Sequence, residues 1–149
     1  MDKPTNLVEF ETMLLGRYTI HPRYRRDGTR LDRSAYLLLS RLAIEGPMSI
    51  GQLSEAFGLD ASTLNRQTAA LLRAGHVERI PDPEGGMARK FRITPAGEEN
   101  LDTERNANIE GLGRVLEGWS PDDVARFADY LQRFNTDIER LDGRPWPRP

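Results

Sequence analysis

The chain has 149 residues, of which 38% are apolar and 30% charged, and its formal net charge is −2. This length and composition predict one domain whose hydrophobic core is large enough to fold without disulfides. The absence of cysteine excludes thiolate catalysis and sulfur-based redox sensing, and no apolar run approaches the roughly 20 residues of a membrane span. We therefore expect a cytoplasmic protein with no membrane partner.

The charges are segregated along the chain. Between Arg17 and Arg41 there are seven arginines against two acidic residues, whereas acidic residues outnumber arginines between Thr94 and Asp142. Such segregation lets one face of an acidic protein bind a polyanion. A surface on which the charges simply mix is the alternative.

Two helices are predicted in the first third of the chain, separated by the loop "IHPRYRRDGTRLD". We expect Thr5 to cap the first helix and Asp32 to cap the second. Their apolar stripes consist of Leu7, Phe10, Leu14 and Tyr18 in the first helix, and of Ala35, Leu38, Leu39 and Leu42 in the second.

A helix-turn-helix is predicted next. The stretch "SIGQLSEAFGLD" begins with Ser49 and Gln52 at capping-box spacing and ends at Gly58. The following stretch, "LDASTLNRQTAALLRAGHVER", predicts a helix that Asp60 caps and Gly75 stops. Two short helices joined by a tight turn that contains glycine form this arrangement.

The second of these helices has a polar face of a particular composition. With Leu64 taken as the inward direction and about 100° per residue, the helix divides into two faces. The inward face consists of Leu64, Thr68, Leu71 and Gly75, and the outward face of Ser62, Arg66, Ala69 and Arg73, flanked by Thr63 and Ala70. Asn65 adds a further short polar side chain. Arginine reads guanine through two hydrogen bonds, and Ser, Thr and Asn reach base edges or phosphates. The alternative is a solvated face without a partner.

The runs "HVERI" and "ARKFRIT" flank the turn-forming stretch "PDPEGGM", which predicts a β-hairpin. Together with the helix-turn-helix, this hairpin makes a winged helix. The predicted fold class is therefore mainly α with a small β-hairpin wing.

Two more helices are predicted after the hairpin. Thr94 caps and Pro95 begins the first, which runs toward Leu116. We expect Gly111 and Gly113 to loosen it. The last helix begins after Ser120, and "GRPWPRP" is predicted to be a frayed tail.

The last helix has apolar residues three and four positions apart, in a nearly heptad pattern. This stripe fits ordinary core, a coiled coil or a dimer interface. We favour a homodimer, because a compact winged helix leaves the terminal helices little of their own chain to pack on. The predicted interface residues are Leu7, Phe10, Leu14, Val124, Phe127, Leu131, Phe134 and Ile138.

The stretch "SIGQLSEAFGLDASTLNRQTAALLRAGHVERIPDP" and the exit "RITPAG" resemble the MarR family of bacterial winged-helix transcription regulators. The specific match covers about Leu31 to Glu99. The resemblance implies a homodimer on a pseudo-palindromic DNA operator. It divides the chain into an N-terminal dimerisation helix and loop (1–30), a DNA-binding winged helix (31–96), C-terminal dimerisation helices (97–142) and a tail (143–149).

The hairpin departs from the family pattern at its tip. Family wings commonly place an arginine in the minor groove from an Asp-x-Arg-like tip, whereas this chain has Gly85, Gly86 and Met87 there. We therefore assign the minor-groove role to Arg89, with Lys90 beside it. Contact with phosphates, or solvation without a DNA contact, is the alternative for both side chains.

The resemblance also implies a small aromatic or anionic effector that binds between the dimerisation helices and the winged helix. The candidate ligand-binding residues combine aromatic surface with positive charge, and they are Arg17, Tyr18, His21 and Tyr36. In the alternative interpretation both tyrosines belong to the core while the arginine and the histidine are solvated.

Other functions have little support in the sequence. His21 and His76 are the only histidines and lack metal-ligand spacing, no nucleophile and base pair suggests an enzyme, and no cofactor is expected. Two hypotheses remain, a DNA-binding regulator that acts as a repressor and a winged helix that binds other proteins. Arg66, Arg73 and the two cations of the hairpin favour double-stranded DNA, because a protein-binding wing would expose apolar residues.

Overall fold

The computed structural model describes residues 2–18 and 31–149. Its elements are α1 (Thr5–Arg17), α2 (Arg33–Glu45), α3 (Ile50–Phe57), α4 (Ala61–Arg73), β1 (Val77–Ile80), β2 (Lys90–Ile93), α5 (Pro95–Val115) and α6 (Pro121–Asp142). The strands β1 and β2 form an antiparallel hairpin. The predicted fold class, mainly α with a small β-hairpin wing, is confirmed. Within the described ranges, no helix is both long and apolar enough to cross a membrane.

The core lies around α2, which packs against α4, α5 and β2. Its most deeply buried apolar side chains are Leu38, Leu39, Leu53, Leu64 and Leu101. Met48, between α2 and α3, exchanges two backbone hydrogen bonds with Phe91 of β2, at 2.8 and 3.1 Å. This bridge ties the hairpin to the start of the helix-turn-helix.

Most predicted helix ends are confirmed. The Asp32 carboxylate accepts from the Ala35 N–H at 2.8 Å at the start of α2. Ser49 and Gln52 form the reciprocal capping box of α3, with hydrogen bonds of 3.1 and 2.9 Å. Thr94 and Ser120 cap α5 and α6 with one hydrogen bond each, in which the hydroxyl accepts from a first-turn N–H.

One predicted cap, Thr5, is wrong, and another, Asp60, is confirmed in position but makes no side-chain cap hydrogen bond. Thr5 lies inside α1, because Pro4 occupies the capping position and its carbonyl already accepts from the Leu7 N–H. Asp60 does occupy the capping position of α4, but its carboxylate makes no hydrogen bond to the first turn of that fully described helix. The Asp60 backbone carbonyl accepts from Thr63 and Leu64 instead.

The first turn of α5 lies directly on the junction between α4 and β1. A Cβ atom built on Gly97 would stand 2.1 Å from the His76 carbonyl oxygen, so only glycine fits at this position. Further along, α5 is one unbroken helix to Val115, although we expected Gly111 and Gly113 to loosen it. Gly111 is buried, which indicates that the helix uses this glycine for packing.

The tail (residues 143–149) packs against the helix-turn-helix, so the prediction that it frays is wrong. The ring of Trp146 meets the ring of Phe57 edge to face, with centroids 5.5 Å apart. Arg148 pairs with Glu139 at 2.6 Å. Three prolines in the tail restrict its backbone and lower the entropic cost of this packing.

Candidate nucleic-acid interface

The turn between α3 and α4 is fixed by backbone conformation and hydrogen bonds. Gly58 has φ +64°, in the left-handed region that glycine adopts readily. The Ser54 hydroxyl donates to the Leu59 carbonyl at 2.5 Å, and the Leu59 N–H donates back to the Ser54 carbonyl at 3.3 Å. These contacts set the direction in which α4 leaves the turn.

Helix α4 divides into the two predicted faces. Leu64, Thr68 and Leu71 are buried, and the Thr68 hydroxyl is satisfied by donating to the Leu64 carbonyl at 2.7 Å. On the other face, the predicted DNA-contacting residue Thr63 is half-buried. The remaining ones are exposed, namely Ser62, Asn65, Arg66 and Arg73. The face toward solvent therefore carries two guanidinium groups and several short hydrogen-bonding side chains.

Arg66 is held loosely over the first turn of α4. Its Nη2 lies 3.4 Å from the Thr63 hydroxyl, a long hydrogen bond that leaves the guanidinium free to turn toward a ligand. A planar guanidinium can donate two parallel hydrogen bonds to guanine or to a phosphate. The geometry suits a base contact at the N-terminal half of the helix.

The hairpin is stiffened by contacts across the two strands. Glu78 stands opposite Arg92 in the register, and the Arg92 guanidinium donates to its carboxylate. Arg79 lies over the ring of Phe91, at 5.6 Å from the centroid. Phe91 is itself 3% exposed, so the strands of the wing are anchored in the core.

Asp82 organises the tip of the wing, a role that the sequence reading missed. Its Oδ1 accepts from the Glu84 N–H at 2.9 Å and lies 3.5 Å from Lys90 Nζ. The hydrogen bond from Glu84, reinforced by the Lys90 charge, lowers the pKa of Asp82. A Cβ on Gly86 would stand 2.2 Å from the other carboxylate oxygen. The stretch "DPEGG" was a usable signal, because aspartate before such residues forms side-chain turns.

The two predicted cations of the wing have different surroundings. Arg89 is exposed in the loop before β2. Lys90 is the first residue of β2, and its side chain is only 13% exposed beside Asp82. Arg89 is therefore the side chain that can extend from the wing, whereas Lys90 serves first to hold the tip.

The described candidate effector residues belong to different elements, Arg17 and Tyr18 to the end of α1 and Tyr36 to α2. The Arg17 guanidinium is 5.8 Å from the centre of the Tyr18 ring at the end of α1. Tyr36 is half-buried in α2 and packs against the core, as the alternative interpretation has it. His21 lies outside the described residues. Within the described ranges, no cluster of three or more metal-ligating side chains is present.

An apolar groove of about 940 Å³ runs between α1 and α6. Neither helix buries a side chain, although the structure describes both completely. Five of the predicted interface residues line this groove, namely Leu7, Leu14, Phe127, Leu131 and Phe134, whereas Phe10, Val124 and Ile138 are outside its lining. Leu14 and Val124 are half-buried, and the other six are exposed. Tyr18 lines the same groove, at 57% exposure.

Comparisons with known proteins agree with this architecture. The sequence model of the MarR family matches residues 31–86. The uncharacterized HTH-type transcriptional regulator YxaD of Bacillus subtilis is 35% identical over 133 residues, which cover 89% of this chain and 93% of the relative. The transcriptional activatory protein BadR of Rhodopseudomonas palustris is 28% identical over 105 residues, 70% of this chain and 60% of the relative.

A crystal structure of MarR superposes with a TM-score of 0.76 at 20% identity, covering 97% of this chain and 99% of that one. At this identity the likeness shows a shared fold. The matched relatives are transcription regulators, which confirms the prediction that the chain is not an enzyme. By sequence and by fold, the chain belongs to the MarR family of winged-helix transcription regulators.

Proposed function

We propose that this regulator acts as a homodimer on a pseudo-palindromic operator, with α4 of each protomer in a major groove and the wing beside it. The observation that carries this proposal is the division of α4. Its buried face fixes the helix on the core, while Arg66 and its short polar neighbours face solvent. This composition matches what base edges and phosphates in a major groove accept.

Each candidate DNA contact has a role that follows from its position. Arg66 contacts a base, and Ser62, Thr63 and Asn65 contact base edges or phosphates near the N-terminus of α4, where the helix dipole favours an anion. Arg73, in the last turn, contacts a phosphate. Arg89 enters the minor groove from the wing, and Lys90 supports it.

The dimer is assembled from the apolar surfaces of α1 and α6. Leu7 is 62% exposed and Phe10 is 53% exposed, an unusual position for large apolar side chains in a folded chain. Residues 1–30 and 97–142 accordingly supply the dimerisation elements, and residues 31–96 bind DNA. A second copy is the occupant we propose, since twofold symmetry then mirrors a pseudo-palindromic site.

Repression is the proposed direction of regulation, because an operator that overlaps a promoter needs only to be occupied to exclude polymerase. The name of BadR indicates activation for that relative, so transcription in vitro from a promoter containing the operator is the direct test. A transcript that falls as protein is added supports repression. A small aromatic or anionic effector bound near Arg17 and Tyr18 would reverse the effect.

Selection of bound sequences from a random DNA pool tests the proposal as a whole. We expect an inverted repeat whose half-sites lie one helical turn apart, and sedimentation of the free protein as a dimer. Arg66→Ala combined with Arg73→Ala is the matched control and should enrich no repeat. Enrichment of no sequence by the unaltered chain would favour the protein-binding winged helix instead.

A further inference from the structure

The tail contacts the helix-turn-helix at the end of α3. The Arg144 Nε–H donates to the Glu55 carbonyl at 3.1 Å. This carbonyl is among the last four of α3, which lack partners within the helix, so the guanidinium caps that end and complements its dipole. The same guanidinium lies over the turn, where a Cβ on Gly58 would stand 2.9 Å from its Cζ. Arg144 therefore packs on the turn that directs α4.

Trp146 of the tail joins α3 to α2. One contact is the edge-to-face packing with Phe57 of α3. The other is with Arg41 of α2, whose guanidinium lies 4.9 Å from the Trp146 ring. Arg41 is 7% exposed and also pairs with Glu45 at 2.5 Å, so the indole covers a buried cation.

Glu139 fastens the tail to α6. Its carboxylate accepts from the backbone N–H of Trp146 at 2.7 Å and from two guanidinium nitrogens of Arg148 at 2.9 and 2.6 Å. Two parallel hydrogen bonds from one guanidinium make a geometrically specific pair. The tail thus connects α6 to α2 and α3, along a path separate from α5.

We propose that the tail sets the position of the winged helix relative to α6, and through it the distance between the two α4 helices of the dimer. Arg144 and Trp146 are then positioning residues that select operators by half-site spacing without contacting DNA. This inference rests on the dimeric operator binding proposed above. Its physical reason is preorganisation, since a winged helix held in one orientation loses less freedom when both halves bind.

Binding to operators of altered spacing tests the inference. Inserting or deleting one central base pair moves a half-site by about 3.4 Å and rotates it by roughly a tenth of a turn. We expect the unaltered dimer to lose affinity for such sites by about tenfold or more, and Trp146→Ala to reduce that preference to about threefold or less. Trp146→Phe should restore much of the preference, because it keeps a ring between Phe57 and Arg41.

A distance measurement makes the test independent of DNA affinity. The chain has no cysteine, so Met87→Cys, at a fully exposed wing position, gives one spin label per protomer. We expect a narrow distance distribution between the two wings of the dimer. The distribution should broaden when Trp146→Ala or Arg144→Gln is added. Arg140→Ala, on the exposed surface of α6, should leave it narrow.

The outcomes separate the two proposals. Arg144→Gln removes the contacts of an exposed side chain with the end of α3 and with Asp142 and leaves the buried core unchanged, so it remains informative if Trp146→Ala fails to fold. Unchanged spacing preference and unchanged wing distances in a folded tail variant would overturn the role of the tail and leave operator binding intact. If the spin labels of the unaltered dimer gave no measurable distance between protomers, or if the unaltered chain showed no preference for operator spacing, the proposed dimeric function would be overturned, and this inference with it.

Discussion

Lys90 Nζ lies 3.5 Å from Asp82 Oδ1, so one of the two cations expected to contact DNA from the wing already has a counterion within the protein. Both side chains are largely shielded, at 13% and 14% exposure. A lysine that is already paired with a carboxylate must weaken that pair to bind a phosphate, so it contributes less to DNA binding than a solvated lysine does. The adjacent Arg89 is exposed, and the two residues therefore differ in what they contribute to binding.

Arg89→Ala should reduce the salt dependence of operator binding more than Lys90→Ala does. Each phosphate whose charge a bound cation neutralises contributes roughly 0.9 to the slope of log affinity against log salt, and an arginine in the minor groove also neutralises phosphate charge. A dimer that loses Arg89 from both wings should therefore lose about two from this slope. Lys90→Ala should change the slope less and should loosen the wing tip instead. Fluorescence anisotropy over a range of salt concentrations measures both. A larger slope change for Lys90→Ala than for Arg89→Ala would contradict this assignment.

Arg66→Ala should reduce affinity for the operator more than affinity for scrambled DNA, by about 1 to 3 kcal/mol for a lost base contact. The reason is that only the operator presents the base that the guanidinium reads. Arg73→Ala is the comparison, because a phosphate contact is lost on both DNAs. Competition binding with the two DNAs gives the ratio. Equal losses for Arg66→Ala would make it a phosphate contact too.

Phe127→Asp combined with Leu131→Asp should dissociate the dimer, because burying unpaired carboxylates in an apolar interface is costly. Sedimentation velocity measures the change, and circular dichroism should show the helices retained. Thr136→Asp is the control, since Thr136 is exposed on α6 and does not line the groove. A dimer that survives the double substitution would place the interface elsewhere.

Gly97→Ala should destabilise the protein by about 1 to 3 kcal/mol, because the new methyl group would overlap the His76 carbonyl. Gly113→Ala in the same helix is the matched control. Apart from its chain neighbours and the adjacent backbone of α5, no atom of the described residues lies within 4 Å of its Cβ position. Alanine there should therefore stabilise α5 by about 0.5 to 1 kcal/mol. Urea denaturation of both variants measures the change in the free energy of unfolding, and shows at which position packing outweighs helix propensity.

The contact of Glu139 with the tail should be insensitive to pH across the neutral range. Hydrogen bonds from Arg148 and from the Trp146 N–H lower the pKa of Glu139 from 4.5 to about 2. A lowered pKa in the folded state means that the contribution to stability is complete above the unfolded value of 4.5 and is lost as the pH falls through about 2. Carbon-detected NMR of the Glu139 carboxyl measures the midpoint. A midpoint near 4.5 would mean that the tail is released in solution, as Glu139→Gln should release it at every pH.

The sequence determined by itself the features that depend on neighbours within about one helical turn. The capping box of Ser49 and Gln52 is one such feature, because both hydrogen bonds close between residues three apart. The buried face of α4 is another, since the period of 3.6 residues decides which side chains share a side. These local rules were enough to predict the helix-turn-helix, the hairpin and the polar face expected to bind DNA.

Only the tertiary structure decided the contacts between residues that are distant in the chain. Arg144 donates to the carbonyl of Glu55 across 89 positions, and nothing in the composition of the tail distinguishes this packing from fraying. The charge of Lys90 likewise suggests a DNA contact, and only the fold places Asp82 beside it. Periodicity and capping report the hydrogen bonds and the faces of single elements. The surroundings of a charge or a ring depend on which elements the fold brings together.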